Sequence, residues 1–435
     1  MLTDLKSTNE LKSLSVTTDT RPRILFLEAS TGFGGSGSAL CYLLQSFDKS
    51  RFAPVLSTYF RSRSTHLERV QSYGIPYLPV SESQAYEPWA APIVSKRRNR
   101  WSRKIALLFS WTYYCVGVQG RIILRLTRLL KRERIAVVVL NNDLHLQAAG
   151  IIAARIAGIP VLVRKAGGIG EGHFLKKLLT GWVNVFIAIS EATRSDQLKN
   201  PKSKRVVLIH GAVDLWRFQA APSRWVARRK LGLPEGAVIV GSAARLADGK
   251  GQRELLLAAQ KVLAQFPDVI FYLVGSEDPA YLHENLLGKL QNLAMELGIS
   301  SSVDFPGWRD DMDVVLSAID IFVHCPSSFI EGLSVVNLEA MACGRPTIVS
   351  RNGGLPDAVV DGVTGRVVEP GDTDELAEAM ISLIRNPEKA IRMGQNARKR
   401  VAEDFDIENM TRAYEDLISE FCPSRQTASG RHKLA

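Results

Sequence analysis

Short, nearly continuous runs of Val, Ile, Leu and Phe recur along the chain, separated by longer stretches whose apolar residues fall at helical spacing. In the first half the runs are ILFLEAS from Ile24, PVLSTYF (54–60), IPYLPV (75–80), IAVVVL (135–140), PVLVRK (160–165), VFIAIS (185–190) and VVLIHGA (206–212). In the second half they are VIVGSAA (238–244), VIFYLVG (269–275), VDFPG (303–307), DIFVHCP (320–326), PTIVS (346–350) and TGRVVEP (364–370). Helical spacing follows the Gly-rich turn as far as Phe47, then returns at 64–73 and 146–157. It returns again at 251–265, 280–297, 310–318, 331–343, 355–360 and from Thr373 onward. Continuous rather than alternating apolar runs predict parallel strands buried on both faces. Strands alternating with helices predict two doubly wound α/β domains, joined by a linker at Val213–Ser223. The expected organisation is a disordered leader over 1–20, an N-terminal domain over 21–215 and a second domain over 225–400. A C-terminal helix over 401–422 would pack back on the first domain, ahead of a disordered tail, 423–435. Ligands in such sheets bind at the carboxyl ends of strands, so the cleft between the domains is the expected site.

Length and composition add exclusions. With 435 residues, 46% hydrophobic and 23% charged, the chain is neither fibrous nor wholly disordered. Its five cysteines are scattered and form no C-x-x-C, which fits a reducing compartment. The first 20 residues lack the apolar core of a signal peptide, and no uncharged run reaches the roughly 20 residues of a spanning helix. The expectation is a cytoplasmic protein. The formal charge of +11 sits in one segment. Residues 96–134 hold twelve Lys and Arg against one acid, Glu133, while the remainder holds 43 of each sign.

Three motifs carry candidate chemistry. The Gly-rich loop Gly32–Gly37 joins a strand to a helix, the context of a phosphate cradle. The next strand ends Thr58-Tyr59-Phe60-Arg61, without the acid a nicotinamide ribose requires, so that cofactor is not expected. Arg245 and Lys250 stand on a loop entering a helix, where a fork and a point charge suit a diphosphate. Glu331 and Glu339 are eight residues apart, about 80° around a helix. They can address one ligand only if Glu331 lies in the loop before the helix proper. Otherwise Glu331 caps the helix and Glu339 is solvated. Asp311-x-Asp313 mimics a metal-binding pair, but with Asp310 it opens a helix, where acids favour the N-terminal dipole.

Taken together, R-L-x3-K-G, E-G-x6-E, Cys343-Gly344-Arg345-Pro346, Gly353-Gly354-Leu355-Pro356-Asp357 and Asp361-Gly362-x2-Gly365 resemble the retaining glycosyltransferases of family 4. The stretch IHGAVDLWRF is similar to that family's segment before the second domain, with His210 in place of its usual Asn. The resemblance covers roughly residues 23–420 and is densest in the second domain. It implies a GT-B fold: two doubly wound Rossmann-like domains facing across a cleft. It implies transfer from a UDP- or GDP-sugar, with no metal and no cofactor beyond that donor substrate. Arg245 and Lys250 would hold the donor diphosphate and Glu339 the ribose. Glu331 would approach the sugar, with the backbone of Gly332, Leu333 and Ser334 near its hydroxyls, and Gly34 and Gly35 would line the cleft opposite. A family His near the sugar corresponds to His145 only with displacement, and His145 and Asn142 are the candidate sugar or acceptor contacts; Arg164-Lys165 replace another family His. Ser190 matches a family serine.

The basic segment bears on location. Arg121, Arg125, Arg128 and Arg132 form one helical stripe, with Ile122, Leu126, Leu129 and Leu130 off it. Arg97, Arg98 and Trp101 precede it. An anionic membrane surface is the favoured partner over a merely solvated face or nucleic acid. The expected acceptor is a glycan or a lipid-linked species in polysaccharide or glycolipid synthesis, which places the chain at the inner face of a membrane. The rival readings are a GT-B enzyme of other chemistry, an epimerase or phosphorylase, and a non-catalytic nucleotide-sugar-binding scaffold.

Overall fold

The structure, a computed structural model, describes residues 19–29, 35–61, 65–82, 117–142, 144, 146–165, 178–277 and 285–422. Gly34, Arg97, Arg98, Trp101, His145, residues 1–18 of the leader and the whole tail lie outside them.

The apolar runs fold as strands of two six-stranded parallel sheets, as the pattern predicts. The first contains β1 (Arg23–Glu28), β2 (Ala53–Thr58), β3 (Ile135–Asn141), β4 (Val161–Lys165), β5 (Val185–Ala188) and β6 (Val206–Leu208), in the order β2-β1-β3-β4-β5-β6. The second contains β7 (Ile239–Ala243), β8 (Ile270–Val274), β9 (Val303–Gly307), β10 (Ile321–His324), β11 (Thr347–Ser350) and β12 (Gly365–Val368), in the order β12-β11-β10-β7-β8-β9. Each order reverses direction once, between β1 and β3 and between β7 and β10. In open parallel sheets such a reversal opens a crevice at the carboxyl ends of the two central strands. The loops leaving β7 and β10 carry Lys250 and Glu331, so sheet topology alone brings them to one place.

The described helices of the first domain are α1 (Gly35–Ser46), α2 (Thr65–Ser72), α3 (Gly120–Arg132), α4 (Ala148–Ala157) and α5 (Glu191–Leu198). The linker contains α6 (Leu215–Gln219), capped by Asp214, whose carboxylate accepts from the Arg217 N–H; α7 (Arg224–Leu231) follows. The second domain adds α8 (Gln252–Leu263), α9 (Leu286–Glu296), α10 (Met312–Ala318), α11 (Val335–Ala342), α12 (Leu355–Ala358), α13 (Thr373–Arg385) and α14 (Pro387–Asp404). The last helix, α15 (Ile407–Ser419), returns to the first domain. Its Glu415 accepts from the Asp48 N–H at 2.6 Å, and the turn before it meets the linker through Val213 N–H to Phe405 O at 3.1 Å.

Several expected elements are shorter than the pattern suggests, two of them for a clear physical reason. IPYLPV forms no strand of the sheet but runs beside β2, with a bridge between Tyr77 and Leu56 and backbone hydrogen bonds from Leu56 to Pro76, Leu78 to Leu56 and Val80 to Thr58, while its two prolines have no N–H to give. The helix expected from 331 starts at Val335, because Ser334 adopts extended backbone and its Oγ accepts from the Asn337 N–H. Along α3, Ile122, Leu126, Leu129 and Leu130 are buried while Arg121, Arg125, Arg128 and Arg132 are exposed. Among the described residues, no helix is long and apolar enough to cross a membrane.

One apolar cluster continues from the first domain into the second, joining Phe26 and Leu43 to Leu338, Met341 and Met410. The two carboxyl ends face each other at the starts of α1 and α11. A Cβ on Gly35 would lie 4.0 Å from Val335 Cγ2.

Candidate active site

The loop after β7 and the loop after β10 interlock through backbone. The Gly249 carbonyl accepts N–H groups from Ser327 (2.9 Å), Ser328 (3.4 Å) and Phe329 (3.2 Å). Gly249 has φ +78, and a Cβ there would lie 2.9 Å from Phe329 N, so only glycine allows the close approach. Lys250 follows, its ammonium 2.5 Å from Glu331 Oε1 and 3.5 Å from the centre of the Phe329 ring. Arg245 lies at the head of the same loop, its carbonyl accepting from Gln252 Nε2 at 3.0 Å.

Glu331 stands in the loop ahead of α11, the position the paired-carboxylate reading requires. Its N–H donates to Asn352 Oδ1 (3.3 Å) and its carbonyl accepts from the Gly354 N–H (3.0 Å). The backbone carbonyl is pressed against Gly353, at φ +55, where a Cβ would come within 1.8 Å. The Glu331 side chain is 13% exposed. Burial pushes its carboxyl upward, but hydrogen bonds and charge from His324 and Lys250 prevail and hold it at about 2. Gly332, Leu333 and Ser334 lead into the N-terminus of α11, and Leu333 packs towards Gly211, just ahead of the linker.

Glu339 is set apart from this pair. On the second turn of α11 it faces the first domain, where the Tyr42 hydroxyl of α1 donates to its Oε1 at 2.6 Å. Burial raises its carboxyl above the usual range, opposed by the Tyr42 hydrogen bond and by the charges of Arg217 and Arg69. The structure thus joins Lys250 and Glu331 by direct contact, and places Glu339 at the junction of the domains rather than beside them.

At the first domain's reversal point lies a buried polar network. Glu28 accepts from the side-chain amides of both Asn141 and Asn142, and Asn141 Oδ1 accepts from Arg164 at 2.9 Å. Asn142, named above as a sugar or acceptor contact, is 7% exposed, and its amide is used in holding Glu28. The three aspartates at the start of α10 also have protein partners. Asp310 accepts from Trp308, Asp311 pairs with Arg309 and Asp313 with Arg217. Across the junction, Asp357 accepts from the Glu191 N–H (2.5 Å) and from His210 (3.3 Å), while Gly354 packs on Ser190. The residues that sequence reasoning missed here are His324, Asn352, Tyr42 and Glu28. The partners of the last two come from distant segments, and the run that contains His324 reads as an apolar strand.

The family model for "Glycosyl transferases group 1" matches residues 223–400, which contain the Arg245–Lys250 and Glu331–Glu339 motifs. The GDP-mannose-dependent monoacylated alpha-(1-6)-phosphatidylinositol monomannoside mannosyltransferase of Corynebacterium glutamicum is 34% identical over 252 residues, 55% of this chain and 63% of its own length. The chain therefore spans less than two thirds of that relative. The alpha-maltose-1-phosphate synthase of Mycolicibacterium smegmatis is 30% identical over 304 residues, 62% of this chain and 75% of its own length. Among solved structures, Anabaena Alr3699/HepE in complex with UDP superposes with a TM-score of 0.74 at 21% identity, covering 92% of this chain and all of its own. That likeness extends the two-domain fold over nearly the whole molecule.

Proposed function

The chain belongs to the group 1 glycosyl transferases, and on that premise we propose that it moves a sugar from a UDP- or GDP-sugar to a glycan or lipid-linked acceptor, retaining the anomeric configuration without a metal ion. The observation that carries this reading is the Lys250–Glu331 contact at the reversal point of the second sheet, with Arg245 on the same loop. A departing nucleoside diphosphate gains negative charge as the C–O bond to the sugar breaks. Preorganised cations in a sparingly hydrated site stabilise that charge without reorganising. Lys250 and Arg245 supply the cations, which is what lets the reaction do without a metal. Glu331 addresses the sugar. The acceptor oxygen bonds to the anomeric carbon on the face the diphosphate leaves, and its proton passes to the departing phosphate. Glu339 takes the ribose hydroxyls beside its contact with Tyr42.

The curated relative's use of GDP-mannose and a phosphatidylinositol-linked acceptor supports a lipid-linked acceptor here. The exposed Arg stripe of α3 supports recruitment to an anionic membrane surface from the cytoplasmic side. The test is a panel of UDP- and GDP-sugars assayed with membrane extracts as acceptor, after a thermal-shift screen of the nucleotides. Lys250→Ala and Glu331→Ala should each lower transfer by about a hundredfold or more while the protein stays folded. Near-wild-type turnover in either variant sinks the site, and no stabilisation by any nucleotide favours the scaffold reading.

A further inference from the structure

His324 is the last residue of β10, 3% exposed, and lies directly behind the Glu331 loop. Its Nε2 is 3.2 Å from Glu331 Oε1, and its Nδ1 is buried with no hydrogen-bond partner among the described residues. Filling the position alone would favour an apolar side chain, because an imidazole with one buried nitrogen unpaired carries a desolvation cost. Something at Nε2 offsets that cost. Lys250 meets the same oxygen, Oε1, so both donors converge on one side of the carboxylate. No described residue bonds Oε2, and the two donors, from different elements, both hold Oε1.

We propose that His324 is a positioning residue that, with Lys250, pins Glu331 through Oε1 and so presents Oε2 to the donor sugar. This rests on the glycosyltransferase reading for the identity of the ligand, but the His324–Glu331 link stands on the geometry alone. With a proton on Nε2 the imidazole donates to Oε1, and a Gln amide can reach the same oxygen whereas Leu cannot.

The experiment compares His324→Leu with His324→Gln, both checked for folding by circular dichroism. Losing one hydrogen bond to a charged group should lower kcat for transfer by about ten- to a hundredfold in His324→Leu, and His324→Gln should recover most of it. The affinity for UDP or GDP alone should change less than about twofold in both, because the diphosphate is held by other residues. Equal activity in the two variants, or equal loss of nucleotide affinity and turnover in His324→Leu, overturns the proposal. A second measurement covers the case in which His324→Leu does not fold. In protein labelled with 15N-histidine, the His324 Nε2 signal, assigned with His324→Gln, should move on Glu331→Gln, and an unmoved signal overturns the link. If the wild-type protein turns over no nucleotide sugar, the functional reading fails, and the nitrogen signal still decides the positioning claim.

Discussion

At the scale of single residues, Glu331 joins electrostatics to chemistry. Lys250 and His324 hold its carboxyl at about 2, well below the ordinary value of 4.5. A depressed carboxyl stabilises the fold above its unfolded value and loses that contribution as pH falls through its folded one. Glu331→Gln should therefore flatten the decline in Tm between about pH 5 and pH 2, measured against wild type by differential scanning calorimetry. Across the neutral range Glu331 remains a carboxylate, so an acid limb in the activity profile belongs to another group. The motif residues Arg245, Lys250, Glu331 and Glu339 were legible because their spacing reflects loops of one domain. The grip of His324 was not. Nothing in an apolar run reveals that its last side chain turns back towards a loop seven residues on.

At the scale of elements, the decisive units are two loops and one helix face. The β7–α8 loop fits under the β10–α11 loop only because Gly249 has no side chain. Gly249→Ala must both hold a positive φ and push backbone aside, and should cost about 2–4 kcal/mol in denaturant unfolding and weaken nucleotide binding. Gly371→Ala is the control. Its φ is +83, but nothing lies within 4 Å, so it should cost only about 1–2 kcal/mol and leave binding unchanged. Equal effects on nucleotide binding would show that the interlock does not shape the site. On α3, the four buried apolar residues and the exposed Arg stripe follow directly from helical periodicity. Replacing Arg121, Arg125, Arg128 and Arg132 with Gln should leave Tm nearly unchanged. It should reduce co-sedimentation with anionic liposomes at low salt, each charge contributing about 1 kcal/mol near such a surface. Unchanged co-sedimentation would remove this face from the membrane argument. Where the sequence pattern erred, at 75–80 and at the start of α11, prolines or a capping serine ended elements that hydrophobicity alone would extend.

At the scale of the whole molecule, the two domains are tied by contacts between segments far apart in the chain. Tyr42 and Glu339 are 297 residues apart and form a buried hydrogen bond. A carboxyl whose folded value is raised costs stability as pH rises through that value, and the cost is absent below the unfolded one. Glu339→Gln keeps an acceptor for Tyr42 and removes the buried charge, so Tm at neutral pH should hold or rise, while affinity for UDP or GDP falls if the ribose binds there. Tyr42→Phe instead strands the carboxylate and should cost about 1–3 kcal/mol in chemical unfolding. A loss of stability in Glu339→Gln equal to that in Tyr42→Phe would show that the charge itself holds the junction.

The +11 of the chain and the placing of its excess in residues 96–134 are settled by the sequence alone, since charge is counted and needs no geometry. So are the two parallel sheets, because strands buried on both faces must be continuously apolar, and so is the family resemblance carried by the second domain. The fold decided the rest. The order of strands placed the loops after β7 and β10 side by side, which turned a Lys and a Glu 81 residues apart into a contact of 2.5 Å. It also turned Glu339 towards Tyr42, committed Asn142 to Glu28 and put His324 behind Glu331. These are pairings across distant segments. A local pattern records which face of its own element a residue occupies, and only the packed chain determines what it meets there.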